Sequence, residues 1–294
     1  MSYSISNIKD LRDNTGVGFL DCKKALIENN NDIQKSIDYL RKKGLTKASK
    51  KSLRVTNDGA VGVFVTTFKT LLIEINTETD FAAKNDLFLN FLEQIANYAL
   101  QVNYENEINI NLFMETEFEG KKISEYFNDI IAKIGENIVL KRLKLLTNDS
   151  KTKIFTYTHN AYKKNIGKIC VALKIEIDSQ NEEVNQFGKN LCMHIAALKP
   201  LSIDIDSLDK NLINKEKEIQ LDSIKSSGKP DNILDKILEG KMKKYFSEVT
   251  LLNQIYILDD EKTVKKVIEE FNSKNLNFNV IEYSFFVLGL NEPT

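Results

Sequence analysis

Tryptophan is absent from this chain, and its 294 residues include only 2 His, 3 Cys and 3 Pro. Cys22, Cys170 and Cys192 are odd in number and show no CxxC spacing. That excludes a disulfide framework and a cysteine-based zinc site, and points to reduced, buried thiols in a cytosol. With so little proline and only 12 Gly, the chain is not a linker-rich or low-complexity polymer. No apolar run approaches the ~20 residues needed to span a bilayer. The opening MSYSISNIKDLRDN lacks the basic start and apolar centre of a signal peptide, and its Asp residues argue against a transit peptide. A cytoplasmic protein without membrane contact is therefore expected. An excess of positive charge is missing too, with 41 Lys and Arg against 42 Asp and Glu. This balance argues against a dedicated nucleic-acid binder.

Catalytic signatures are just as sparse. There is no GxxxxGK[ST] loop to cradle a phosphate. GVGFLD lacks the third glycine of a dinucleotide fingerprint and follows a helical pattern rather than a strand. DIDSLD, residues 204–209, begins like a calcium loop but has neither the glycine nor the distal glutamate, so a helix cap is the better reading. Of the two histidines, His159 and His194, the second lies within the apolar LCMHIAAL with no nucleophile motif around it, as a packed core imidazole would. The lysine-rich KASKK and KMKK fit solvated helix faces as well as phosphate contacts. No catalytic or metal-binding set survives. The chain reads as a protein that works by binding, not as an enzyme, and without a cofactor of its own.

The length allows two domains and a small extra module. The first 45 residues predict three short helices. Ile8 and Leu11 mark one, stopped by Gly16; Phe19, Cys22 and Leu26 mark the next; Asp32 caps a third with Ile33, Ile37 and Leu40, ended by Gly44. None is long enough to stand alone in water, so they share one small core. The basic TKASKKSLRVTNDG, residues 46–59, reads as a linker or arm. Two strands follow, joined by a tight turn around Lys69. A long helix then carries the stripe Leu87, Phe88, Phe91, Leu92, Ile95 and Ala99. Beyond a loop near 103–120, KKISEYFNDIIAKIG is helical, NIVLKRLKLL, KIFTYTHN and IGKICVALKIEI are strands, and EVNQFGKNLCMHIAALKP is a helix stopped before Pro200. This strand-heavy alternation predicts an α+β fold.

Residues 207–249 predict an antiparallel helical hairpin broken at Ser-Ser-Gly-Lys-Pro. Leu208, Leu212 and Ile219 would line one arm, and Ile233, Ile237, Met242 and Phe246 the other. The tail adds a strand at QIYIL, a helix at KTVKKVIEEFN and a strand at FNVIEYSFFVLGL.

TETDFAAKND, residues 77–86, sits at the seam between strand and helix. Phe81 lies seven residues before Phe88, which continues the apolar stripe, and Asp80 suits a helix N-cap. The same pair also suits a carboxylate and a ring presented to a partner. Spacing favours the cap and core reading.

Several segments resemble the elongation factor Ts family in order and over essentially the whole chain. TDFAAKN is similar to that family's TDFVAKN signature, with Ala82 at the usual valine position. IKDLRDNTGVGFLDCKKALIENNNDIQKSIDYLRKKG resembles its amino-terminal module, and KIGENIVLKRL its IGENI segment. MHIAALKP and SGKPDNILDKILEGKMKKYFSEVTLLNQ match its carboxy-terminal part. YTHNAYKKNIGKICVAL departs by being longer than the family's usual form.

The resemblance implies an N-terminal three-helix, ubiquitin-associated-like module at 1–45 and a linker at 46–59. It further implies a two-subdomain α+β core divided as 60–137 and 138–294, with the hairpin 207–249 inserted. It implies nucleotide exchange on elongation factor Tu, acting on Mg²⁺ and GDP held by that partner. Phe81 would insert near the partner's magnesium site and Asp80 would disturb the surrounding charge, while Thr79, Ala82, Ala83 and Lys84 shape the turn. Val17, Gly18 and Phe19 would dock on the nucleotide domain, and His194 with its helix would bind a different region of the partner, near its phosphate loop. The hairpin would embrace the partner or only stabilise the chain; the pattern leaves both open. A ubiquitin-associated-like adaptor and a ribosome- or RNA-associated binding protein are the rival expectations.

Overall fold

A computed structural model of the chain describes residues 4–15, 17–103, 108–177, 181–225, 231–274 and 277–290, without the side chains of 41, 44–50, 225 and 231–233. The fold is α+β. It divides into two compact units, the first made of 1–145, 160–168 and 286–290, the second of 146–159, 169–285 and 291–294. Among the described residues no helix is long and apolar enough to cross a membrane.

The first unit opens with α1 (Ile5–Thr15), α2 (Phe19–Glu28) and α3 (Ile33–Lys51). Ile8, Leu11, Cys22, Ala25, Leu26 and Leu40 close their shared core, and Val17, Ile33 and Ile37 pack against it. Ser36 is buried among them because its hydroxyl can donate to the Asp32 carbonyl at 2.6 Å. Phe19 departs from the expected core. It lies 48% exposed at the first position of α2, next to the exposed Leu20. The expected stop at Gly16 falls outside the described residues. Gly44 does not end α3; the helix runs on to Lys51, through the first six residues of the expected linker. Its contact with the helix over 123–134 supplies the tertiary support that a basic, weakly patterned segment lacks on its own.

Next come β1 (Asp58–Val65) and β2 (Lys69–Thr77), an antiparallel pair whose turn falls at Thr66–Phe68, earlier than expected. Gly59 has φ +141°, and a side chain there would strike the Ile75 carbonyl across the ladder. After β2 the chain forms α4 (Asp80–Ala83), α5 (Asp86–Gln101), α6 (Ile110–Glu115), the small hairpin of β3 (Glu117–Phe118) and β4 (Lys121–Lys122), and α7 (Ile123–Ile134). The loop expected near 103–120 thus holds a helix and a hairpin. α7 ends at Gly135, whose φ of +91° makes it a left-handed C-cap. The stripe of α5 is Phe88, Leu89, Phe91, Leu92, Ile95, Ala96, Tyr98 and Ala99; Leu87 points outward.

The strand expected to open the second subdomain, β5 (Ile138–Thr147), is hydrogen-bonded to β2. β6 (Thr152–His159), β7 (Ile166–Gly167) and β8 (Ile169–Glu176) follow, and the first sheet reads β5-β2-β1-β7. Within it Glu74, fully buried, meets Arg142 at 2.7 Å, and Arg142 also donates to the Val287 carbonyl at 3.1 Å. The second Glu74 oxygen accepts the Gly289 N–H at 3.1 Å. A carboxylate buried this deeply is stable only with such partners.

The second unit contains α8 (Glu182–Leu198), α9 (Lys210–Lys225), α10 (Asp231–Val249), β9 (Ile255–Tyr256), β10 (Asp259–Thr263), α11 (Val264–Asn272) and β11 (Asn279–Val287). Its main sheet has the order β11-β8-β6, with α8 against β6 and β8. Phe187 of α8 anchors an aromatic cluster, 4.3 Å from Phe271 and 4.8 Å from Phe278 between ring centroids. α9 and α10 form the expected hairpin around Ile224, Leu238 and Met242, with Ile213, Leu221, Ile237 and Phe246 alongside. Ile219 turns out to solvent, so the interior stripe of α9 is phased differently from the expectation. The Ser-Ser-Gly-Lys-Pro breaker and the Ile233 side chain lie outside the described residues. Asp209 accepts the Asn211 N–H at 2.8 Å at the start of α9, as the cap reading of DIDSLD requires.

Candidate functional site

The TDFAAK segment is a separate, four-residue helix rather than the first turn of α5. Thr79, in extended conformation, is its N-cap and accepts the Ala82 N–H at 3.3 Å. The expected cap, Asp80, is instead the first helical residue. The chain leaves the helix at Lys84–Asn85, and Asn85 then caps α5 by accepting the Leu87 N–H at 2.8 Å. This break resets the helical phase, so a spacing of seven no longer puts Phe81 on the face of Phe88. Phe88 is fully buried and Phe81 is 84% exposed. The core reading of Phe81 is overturned.

The remaining residues divide by direction. Ala82 and Ala83 face inward, at 5% and 0% exposure, and fasten α4 against β1 and β2. Their small side chains let so short a helix lie close to the sheet. Asp80 and Lys84 face outward and pair at 2.7 Å across one turn. That bond holds the Asp80 carboxyl below the usual carboxylate range and raises the Lys84 ammonium above its usual value. At neutral pH the site therefore offers an anion, a cation and a bare ring on one turn of helix.

In the helical module, Gly18 is the N-cap of α2 with extended φ and ψ, and a Cβ built there meets nothing within 4 Å. The fold alone does not demand glycine at that position. Val17 is half-buried, its carbonyl accepting from the Cys22 thiol at 3.3 Å. Leu20, which sequence reasoning passed over, extends the apolar surface of Phe19. A sharper reading of the helical phase of α2, with Cys22, Ala25 and Leu26 inside, would have found it.

His194 is fully buried, so its side chain does not reach the surface. Ile257 donates its N–H to Nδ1 at 3.3 Å, which leaves Nε2–H to donate to the Gln254 amide oxygen at 3.0 Å. Both nitrogens are satisfied in one neutral tautomer, and burial lowers the pKa. In the same unit, a cavity of about 360 Å³ is lined by Tyr157, His159, Ile169, Met193, Lys199 and Ile257. Among the described residues no group of three or more His, Cys, Asp or Glu is placed to hold a metal ion.

Residues 78–290 match the family described as Elongation factor TS. The chain belongs to the elongation factor Ts family. The elongation factor Ts of Brucella anthropi is 40% identical over 270 residues, covering 92% of this chain and 87% of the relative. That of Paracoccus denitrificans is also 40% identical, over 92% of this chain and 88% of the relative. For the elongation factor Ts of Gluconobacter oxydans the identity is 36% over 271 residues.

Proposed function

We propose that this protein is a guanine-nucleotide exchange factor for elongation factor Tu, acting in the cytoplasm by binding and not by covalent chemistry. A GTPase holds GDP through phosphate contacts bridged by Mg²⁺, and Mg²⁺ demands near-ideal octahedral oxygen geometry. A small displacement around that ion therefore weakens the nucleotide strongly. A factor that fits the emptied or distorted partner better than the GDP-bound one loosens GDP by the same free energy that GDP subtracts from the factor's own binding. That reciprocity lets incoming GTP expel the factor, so each molecule acts repeatedly.

The observation that carries this reading is Phe81, an aromatic ring exposed at 84% on a helix whose own cap and inward alanines hold it in place. Burying such a ring in a partner is worth ~1.5–3 kcal/mol, and it supports part of the distortion. Asp80, kept ionised by Lys84, brings a negative charge to the neighbourhood of the partner's Mg²⁺. Phe19 and Leu20 supply a second apolar contact from the helical module. The function calls for no cofactor in this chain, no membrane contact and no sequence-specific nucleic acid. Replacing Phe81 by Ala should slow GDP release from elongation factor Tu by more than about tenfold, while an exposed position changes folding stability by less than about 0.5 kcal/mol. If Phe81→Ala exchanges at the parental rate, the ring is not the working element.

A further inference from the structure

The turn after α7, Gly135–Glu136–Asn137, has no part in the mechanism above, yet it is bound to the candidate site. β2 leaves the sheet at Thr77 and β5 enters it at Ile138, so segments 78–79 and 136–137 lie side by side. The Glu136 carboxylate takes the Thr79 backbone N–H on one oxygen at 3.0 Å and the Thr79 hydroxyl on the other at 2.7 Å. The arrangement is reciprocal, because Glu78 takes the Asn137 backbone N–H at 2.6 Å. Asn137 in turn donates its side-chain amide to the Arg54 carbonyl at 2.9 Å, and Arg54 meets Glu78 at 3.3 Å. Lys51, the last residue of α3, reaches the Gly135 carbonyl.

A threonine hydroxyl has a single hydrogen. With it committed to Glu136, the oxygen lone pairs of Thr79 are directed at the Ala82 N–H, so the cap that starts α4 depends on the carboxylate behind it. Thr77 adds a bond to the Thr79 carbonyl at 2.8 Å, but it leaves the hydroxyl free to turn. Four residues cannot hold a helix by propensity. Hydrogen bonds to an ionised acceptor are about twice as strong as neutral ones, and Glu136 makes two of them at the residue that sets the direction of α4.

We propose that Glu136 is a positioning residue for nucleotide exchange: its clamp on Thr79 fixes α4 and thereby aims Phe81 and Asp80 at the partner. The proposal rests on the exchange function above, and its test separates the two. In the free protein, hydrogen-exchange mass spectrometry of Glu136→Ala should show the amides of Ala82, Ala83 and Lys84 losing protection by about tenfold or more. The interior amides of α5 should keep theirs. Unchanged protection at 82–84 overturns the clamp. With elongation factor Tu charged with labelled GDP, release at saturating factor should fall about tenfold in Glu136→Ala. Added to Phe81→Ala, the same change should cost clearly less than the tenfold it costs alone, since the part of its effect that passes through the ring is already lost and only the part through Asp80 remains. Losses that multiply in the double variant, or a parental maximal rate in Glu136→Ala, overturn the positioning role. Glu136→Gln keeps the shape and one acceptor and should fall between; it replaces the alanine variant if that does not fold. Failure of the parental protein to accelerate GDP release would refute the exchange function and the role of Glu136 in it, while the protection measurement still decides the clamp on its own.

Discussion

Side chains at the ends of secondary elements decide what this surface offers. Phe81 is exposed because two non-helical residues, Lys84 and Asn85, separate α4 from α5. Periodicity in the sequence runs straight across that break, which is why spacing alone pointed to a core ring. The cap was legible as a type but not as a position: Thr79, not Asp80, accepts from the turn above it. His194 was legible as a core imidazole from its apolar neighbours, and burial explains a testable pH response. Its folded pKa lies below the ordinary value of about 6.5, so the unfolded chain takes up a proton first as pH falls. Stability should therefore be complete above about pH 6.5 and decline below it, levelling off beneath the folded pKa. Urea unfolding at stepped pH should show a shallower decline between about pH 6.5 and 5 in His194→Gln. An equally steep decline in that variant would remove His194 as the cause.

Elements were predicted well where apolar spacing is sustained along the element. The strands β1, β2, β6 and β8, the helices α5, α7 and α8, and the hairpin of α9 and α10 all carry long apolar patterns, and they form near the expected places. What failed depends on tertiary support. The basic end of α3 is helical where it meets α7, and α6 with the β3–β4 hairpin is too short to leave a period. β5 reads equally well as the start of a new subdomain, and only its pairing with β2 assigns it to the first sheet. Helix–sheet contact in the second unit is close at Gly188, where an added Cβ would stand 2.5 Å from the Phe155 ring. Gly188→Ala should therefore destabilise by about 1–3 kcal/mol, read as a lower urea midpoint, in spite of alanine's better helix propensity. A raised midpoint would mean that Phe155 yields more easily than its buried place in the core suggests.

Across the whole molecule, the proposed exchange activity needs surfaces that do not contribute to folding. Phe81 on α4 and Phe19 with Leu20 on α2 meet that condition, since each is exposed while its neighbours form the cores beneath. Phe19→Ser combined with Leu20→Ser should weaken complex formation with nucleotide-free elongation factor Tu by about tenfold, the size expected for two modest interface side chains. The variant's urea midpoint should stay at the parental value; unchanged affinity in a titration would take the helical module out of the interface. An RNA-associated role would instead show itself as binding that falls steeply with salt. The most direct test of exchange is the rate at which labelled GDP leaves elongation factor Tu when this protein is added in catalytic amounts. One molecule of factor should discharge many molecules of partner, with GTP present to release it each time. GDP leaving at its spontaneous rate, whatever the dose of folded protein, would contradict it.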